Sequence, residues 1–171
     1  MNVAKNQFEK SVGEVKTPFS YLFVGGDEIK RNEVREFFVK QMGVIWDDID
    51  EFGRKSEYGE GKSIDEAREF IRKINLTPKG KKRLALIYDV DKMNQYAVSA
   101  LLKTIEEPPK GATIVIFSET ENILSTVLSR CEIHRLFDGE EKALGYEMTR
   151  ILESDFCKQV KEIEEIGRAH V

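Results

Sequence analysis

Cysteine and histidine are scarce: Cys131, Cys157, His134 and His170 are the only ones in 171 residues. No cluster therefore has the number or spacing of ligands that a structural zinc site needs, and no metal is expected. Long apolar runs are missing too. Nothing approaches the roughly 20 apolar residues of a membrane helix, and the polar stretch from Met1 to Glu14 lacks the apolar centre of a signal peptide. A cytoplasmic protein without membrane contact is expected. There is no basic excess either: the formal net charge is -4, whereas nucleic-acid binders usually gather Lys and Arg on one face. Any DNA contact would be local or made through partners. What is present, 40% apolar and 34% charged residues, suits one ordinary globular core.

Along the chain, apolar runs alternate with amphipathic stretches. Phe19 to Val24 is a short apolar run ending at Gly25-Gly26, as a buried strand entering a tight turn would read. Val34, Phe37, Phe38 and Met42 then recur with the spacing of one buried helix face. Asp47 to Lys62 is charged and rich in Gly and Ser, which predicts an exposed, irregular connection without chemistry. Ile64, Ala67, Phe70, Ile71 and Ile74 predict a second helix, stopped by Thr77-Pro78-Lys79-Gly80.

Leu84 to Tyr88 is unbroken apolar and closes on Asp89-Val90-Asp91, the pattern of a central parallel strand tipped with carboxylates. Met93, Ala97, Ala100, Leu101 and Ile105 mark a third helix face, ended at Glu106-Glu107-Pro108-Pro109 because proline cannot continue a helix. Thr113 to Phe117 predicts another buried strand. Ile123, Leu124, Val127 and Leu128 predict a short helix, and Ile133 to Phe137 a last strand. The alternation implies an α/β fold: a parallel sheet with helices on both faces. Gly145 to Ile163 is helical and polar and would begin a second, smaller domain.

Three segments carry a family resemblance: YLFVGGDEIKRNEV at Tyr21 to Val34, LALIYDVDKMNQYAVSALLKTIEEPP at Leu84 to Pro109, and STVLSRC at Ser125 to Cys131. Together they resemble the AAA+-type subunits of bacterial clamp loaders over about Phe19 to Phe137. ALLKTIEEPP is similar to the helix that follows that family's Walker B strand, and Ser129-Arg130-Cys131 to its arginine-finger motif. The resemblance implies an AAA+/P-loop-NTPase-like sheet over 1–138 and the start of a helical lid over 139–164.

A working P-loop reads G-x-x-x-x-G-K-[ST], in which glycine amides cradle phosphate, lysine neutralises it and the hydroxyl holds Mg²⁺. Laid on that pattern from Gly25 and Gly26, Lys30 replaces the second glycine, Arg31 the lysine and Asn32 the hydroxyl residue. Asp27 and Glu28 add two carboxylates where polyphosphate would sit, and like charges repel. The family's Walker B pattern falls on Tyr88, Asp89, Val90 and Asp91, so that Tyr88 stands in the metal-linked carboxylate position. No nucleotide cofactor is therefore expected. Within the family this is similar to the delta-prime, stator-type subunit, not to the gamma/tau motor. Its implied partners are gamma/tau-type motor subunits and a delta-type subunit, with the sliding clamp and primed DNA reached through the complex. The four-cysteine module of the motor and of many delta-prime chains is missing from Gly43 to Lys62.

By the same resemblance Arg130 reaches a neighbour's γ-phosphate and acts in trans, where a guanidinium stabilises the charge spread over a transferring phosphoryl group. Ser118 falls near the position that senses the γ-phosphate. Plainer readings stand beside these: Arg130 as a helix-end arginine on terminal carbonyls, Gly25-Gly26 as an ordinary turn, Asp89 and Asp91 as solvated carboxylates or helix caps, Cys131 as packing, and Glu106-Glu107-Pro108-Pro109 as a helix stop only, where the resemblance equally implies a subunit contact. Two other functions remain open. One is an active ATPase in which Lys30 or Arg31 stands in for the P-loop lysine. The other is a DNA-binding module using Lys79, Lys81, Lys82 and Arg83. Ile166 to Val171 corresponds to one reading frame of a widely used sequencing-adapter oligonucleotide, so 165–171 is expected to be a non-native tail.

Overall fold

The computed structural model describes residues 11–53 and 63–136. The chain divides into two units at Leu136–Phe137, and everything below concerns the first. The lid expected over 139–164 and the tail expected over 165–171 lie outside the described residues.

Strand β1 (Phe19–Gly25) leads through Gly25-Gly26 into helix α1 (Glu28–Met42). A 3₁₀ turn at Trp46–Asp48 precedes β2 (Ile49–Phe52). Next come α2 (Ile64–Ile74), β3 (Arg83–Ile87), a second 3₁₀ turn at Val90–Lys92 and α3 (Gln95–Glu106). The unit closes with β4 (Ala112–Ser118), the short α4 (Ser125–Leu128) and β5 (Glu132–Leu136). The five strands form one sheet in the order β2-β3-β4-β1-β5. Every pairing is parallel.

Because strand side chains alternate between faces, each strand feeds two cores. Leu22, Val24, Ala85, Ile87, Ile114 and Ile116 turn to one face, where Ala67, Phe70 and Ile74 of α2 and Ala97, Val98, Leu101 and Ile105 of α3 cover them. Tyr21, Phe23, Leu84, Leu86, Val115 and Phe117 turn to the other, under Val34, Phe38 and Met42 of α1. Burial on both faces is why LALI and TIVIF read as continuous apolar runs without alternation. Helix starts carry their own signals. Ser63 and Glu66 form a reciprocal capping box on α2, and Asn94 caps α3 by accepting from the Ala97 amide at 2.8 Å.

The connection predicted over Asp47 to Lys62 needs correction in its first half. Asp48 is fully buried, and Ile49–Phe52 is an edge strand paired with β3. Asp48 accepts from the backbone amides of Lys79 at 2.8 Å and Gly80 at 2.6 Å, and faces the Arg83 guanidinium at 3.4 Å. Arg83 also pairs with Asp50. A buried carboxylate is tolerated here because amides and a guanidinium replace its water.

Two facts of the topology position the site. From β1 the chain crosses to the far edge of the sheet, then returns strand by strand in the opposite direction. The direction of winding thus reverses between β1 and β4, and in open parallel sheets the crevice outside the strand C-termini at such a switch point is where ligands bind. The N-terminal edge of the sheet lies at the opposite end of every strand.

Candidate functional site

At the switch point an open cleft of about 340 Å³ is lined by Gly26, Asp27, Glu28, Arg31, Asn32, Tyr88, Asp89 and Glu119. The loops after β1, β3 and β4 bring together residues from the two segments aligned above with Walker A and Walker B. Glu119 is an addition that the sequence reading did not single out.

The turn into α1 requires its glycines. Gly25 and Gly26 adopt φ of 81° and 72°, and a Cβ on Gly26 would meet the Leu136 side chain at 2.9 Å. This tight packing against the end of β5 accounts for both glycines without a phosphate. Asp27 is the N-cap of α1, its carboxylate accepting from the Lys30 amide at 2.9 Å. A side-chain carboxylate thus occupies one of the first-turn amides that an anion at a helix N-terminus would use.

Arg31 lies deeper. Its Nη1 donates to Asp89 Oδ1 at 2.8 Å, and the two side chains are only 12% and 16% exposed. Nε and Nη2 of Arg31 are buried without a hydrogen-bond partner among the described residues. Asp89 is the one described non-glycine residue at positive φ, with φ 52° and ψ 46°. Asp tolerates this left-handed conformation better than most residues, at a cost on the order of 1 kcal/mol.

Asp91 serves the same rim differently. It accepts from the Thr120 amide at 3.2 Å and the Thr120 hydroxyl at 3.1 Å, and so pins the loop after β4. Lys92 pairs with Glu119 at 2.5 Å, which holds the Glu119 carboxyl below its ordinary pKa and lifts the Lys92 ammonium above its own. Neither aspartate caps α3, and Asp89 is an ion-paired, largely buried carboxylate and not a solvated one, which corrects that part of the plainer reading. Asn94 is the cap, Asp89 is bound to Arg31 of α1, and Asp91 to Thr120 in the loop after β4.

Tyr88, in the first Walker B position, is buried with its ring stacked on Phe117 at 5.0 Å. Ser118 donates its hydroxyl to the Thr120 carbonyl at 2.6 Å. Among the described residues no group of His, Cys, Asp and Glu has the arrangement of a metal site.

Arg130 stands apart from this cleft. It follows α4 and precedes β5, while Glu106 ends α3 ahead of β4, so both lie toward the N-terminal edge of the sheet. Arg130 Nε donates to Glu106 Oε2 at 3.0 Å, and Nη1 donates to the Thr126 carbonyl at 2.8 Å and to Ser129 Oγ at 3.3 Å. The helix-end bond to Thr126 is the contact that the plain reading anticipated. Cys131 packs beside the core, and burial pushes its thiol up to about 12. Of the basic run, Arg83 is buried against Asp48 and Asp50 and Lys79 pairs with Asp47 at 2.8 Å, leaving Lys81 and Lys82 exposed. That run offers little free positive charge to a phosphate backbone.

No helix among the described residues is long and apolar enough to cross a membrane. Residues 44–140 match the model of the family described as DNA polymerase III, delta subunit. The DNA polymerase III subunit delta' of Buchnera aphidicola subsp. Baizongia pistaciae is 33% identical over 76 residues, 43% of this chain and 23% of the relative. The delta' subunit of Escherichia coli is 35% identical over 81 residues, 46% of this chain and 24% of the relative. The Escherichia coli tau subunit is 24% identical over 109 residues, 62% of this chain and 17% of the relative. The aligned segment thus spans about a quarter or less of these relatives. Among solved structures, a DNA polymerase III gamma subunit-related protein from Thermotoga maritima superposes with a TM-score of 0.65 at 24% identity, covering 81% of this chain and 47% of that one. The parallel five-stranded sheet is accordingly an AAA+, P-loop-like fold.

Proposed function

We propose that this chain, which belongs to the DNA polymerase III delta subunit family, is a stator-type subunit of the replicative clamp loader that holds no ATP itself and lends Arg130 to a neighbour's ATP site. The observation that carries this reading is the Arg31–Asp89 ion pair at 2.8 Å, together with the Asp27 cap on α1.

A P-loop presents free amides and a lysine to polyphosphate. Here one of the first-turn amides is already capped by a carboxylate, and Arg31, the cation that lines the cleft, is neutralised by Asp89. Glu28 and Glu119 add negative charge to the same cleft. ATP would have to displace an ion pair and enter against like charge. The two Mg²⁺ positions of the motif are also not kept, since Asn32 replaces the hydroxyl residue and Tyr88, a packed aromatic, the carboxylate. The residues present therefore do not fit a bound Mg-nucleotide, and no catalytic step runs through this cleft.

Arg130 suits a role outward from its own subunit. It lies toward the strand edge opposite the cleft, so its own cleft is out of its reach. Apposed to a neighbour's nucleotide, its guanidinium would offset the charge that spreads over the γ-phosphoryl oxygens during transfer. The sliding clamp, primed DNA, the gamma/tau-type motor subunits and a delta-type subunit are the partners this role entails, and the cytoplasm is its place.

Titration of the chain with a fluorescent ATP analogue and Mg²⁺, with a gamma-type motor subunit as positive control, tests the reading. No binding up to millimolar nucleotide is expected. Micromolar binding abolished by Arg31→Ala would make this subunit a motor instead.

A further inference from the structure

We propose that Glu106 is a positioning residue for Arg130: its carboxylate sets the plane and reach of the guanidinium that this subunit offers to its neighbour. The inference rests on the trans-arginine reading given above and concerns how that arginine is aimed.

A long arginine side chain at a surface samples many rotamers, and fixing it is entropically costly. Arg130 is nonetheless held at three points. Glu106 Oε2 takes Nε at 3.0 Å, while the Thr126 carbonyl and Ser129 Oγ take Nη1 at 2.8 and 3.3 Å. The Thr126 and Ser129 contacts are local to α4 and its C-cap. Glu106 belongs to another helix, 24 residues earlier in the chain, and ties the finger to the end of α3. With Nε and Nη1 engaged, Nη2 has two N–H donors and no partner among the described residues. That leaves a fixed guanidinium with one nitrogen available to a phosphoryl oxygen.

The backbone makes Glu106 hard to misplace. It is the last residue of α3; Glu107 after it serves as the C-cap, its amide donating to the Lys103 carbonyl at 2.9 Å, and two prolines then end the helix. One residue earlier, the Ile105 carbonyl accepts from the buried Ser20 hydroxyl at 2.7 Å, which fastens the end of α3 to β1. The carboxylate therefore projects from a rigid base while itself remaining half exposed, at 54%. An ion pair this open contributes little to stability. Its value lies in geometry, because misplacing a transition-state contact by about 1 Å can cost on the order of 100-fold in rate.

The experiment measures steady-state ATP turnover of the clamp-loader complex assembled with wild-type chain, Glu106→Ala, Arg130→Ala and the double variant, at saturating primed DNA and clamp. Co-elution of each complex and the thermal midpoint of each free chain are recorded alongside. With Arg130→Ala crippling turnover, Glu106→Ala is expected to lower kcat about tenfold with KM for ATP changed less than about twofold, the sign of an interaction made only in the transition state. The double variant is expected to match Arg130→Ala alone. Glu106→Gln, which keeps the acceptor oxygen, should restore most of the rate, and Glu106→Asp, which withdraws it by a methylene, should not; this pair decides the matter should the alanine chain fail to fold. Wild-type rates in Glu106→Ala or Glu106→Asp, a rise in turnover, or a double variant slower than Arg130→Ala would overturn the positioning role while leaving the trans arginine in place. Unchanged turnover in Arg130→Ala would instead remove the arginine reading, and this inference with it.

Discussion

Breaking the Arg31–Asp89 pair has a stability consequence that can be worked out from its geometry. The contact is 2.8 Å and the side chains are 12% and 16% exposed. Two unit charges about 4 Å apart between centres interact by about 4 kcal/mol at an effective dielectric of 20. Much of that is offset by the desolvation of both groups. Removing one partner of a fully buried pair costs about 3–5 kcal/mol; because water still reaches both side chains, about 2 kcal/mol is the sensible expectation here. Arg31→Met keeps most of the volume and removes the charge. Asp89→Asn removes the other charge and keeps a residue that tolerates the left-handed backbone at φ 52°. Each single variant should lose about 2 kcal/mol in urea unfolding, and the double variant should fall short of their sum by about 1–2 kcal/mol. Coupling below about 0.3 kcal/mol, within the additivity expected of independent sites, would refute the claim that the two groups neutralise each other in the cleft.

Further outcomes follow from the fold. Gly53 has φ 86°, and a Cβ there would lie 2.3 Å from the Tyr88 carbonyl oxygen, so Gly53→Ala should cost about 3 kcal/mol in denaturant unfolding. Burial holds the His134 imidazole below its ordinary value of 6.5 despite the neighbouring Glu132. The folded state therefore favours the neutral ring, and the unfolded state takes up the proton first. Stability should be complete above about pH 6.5, decline as pH falls through the folded pKa and level off below it. His134→Phe, which can keep the stack on Phe23 now at 5.1 Å, should flatten that part of the melting profile. Cys131, with its thiol pushed up to about 12, should resist a thiol reagent at pH 8 in the native Cys157→Ser chain and react once urea unfolds it.

The elements that sequence showed best are those whose burial is one-sided or complete. LALI and TIVIF are buried on both faces, so an unbroken apolar run had no competing explanation, and the helix faces at Val34–Met42 and Ala97–Ile105 carry the 3.6-residue spacing. β2 escaped because Ile49-Asp50-Glu51-Phe52 is an edge strand whose Asp50 meets Arg83, and pairing across 33 residues leaves no local pattern. The cleft was half legible. Gly25, Gly26 and the tips of β1 and β3 could be placed by motif, yet the Arg31–Asp89 pair joins residues 58 apart and depends on α1 presenting Arg31 toward the tip of β3. Asp27 carries a cap signal, an Asp three residues before the amide it caps, which its charge beside the glycine turn obscures. Glu106 is legible in sequence as part of a helix stop or a subunit contact, but its pairing with Arg130 joins residues 24 apart and leaves no local pattern.

The central claim, that this subunit binds no nucleotide yet supplies an arginine to its neighbour's, is tested most directly by counting labelled ATP bound per assembled complex while recording turnover per bound nucleotide. The count should equal the number of motor subunits with wild-type chain and with Arg130→Ala alike, and turnover should collapse only with Arg130→Ala. One additional nucleotide per copy of this chain, or full turnover without Arg130, would contradict the account.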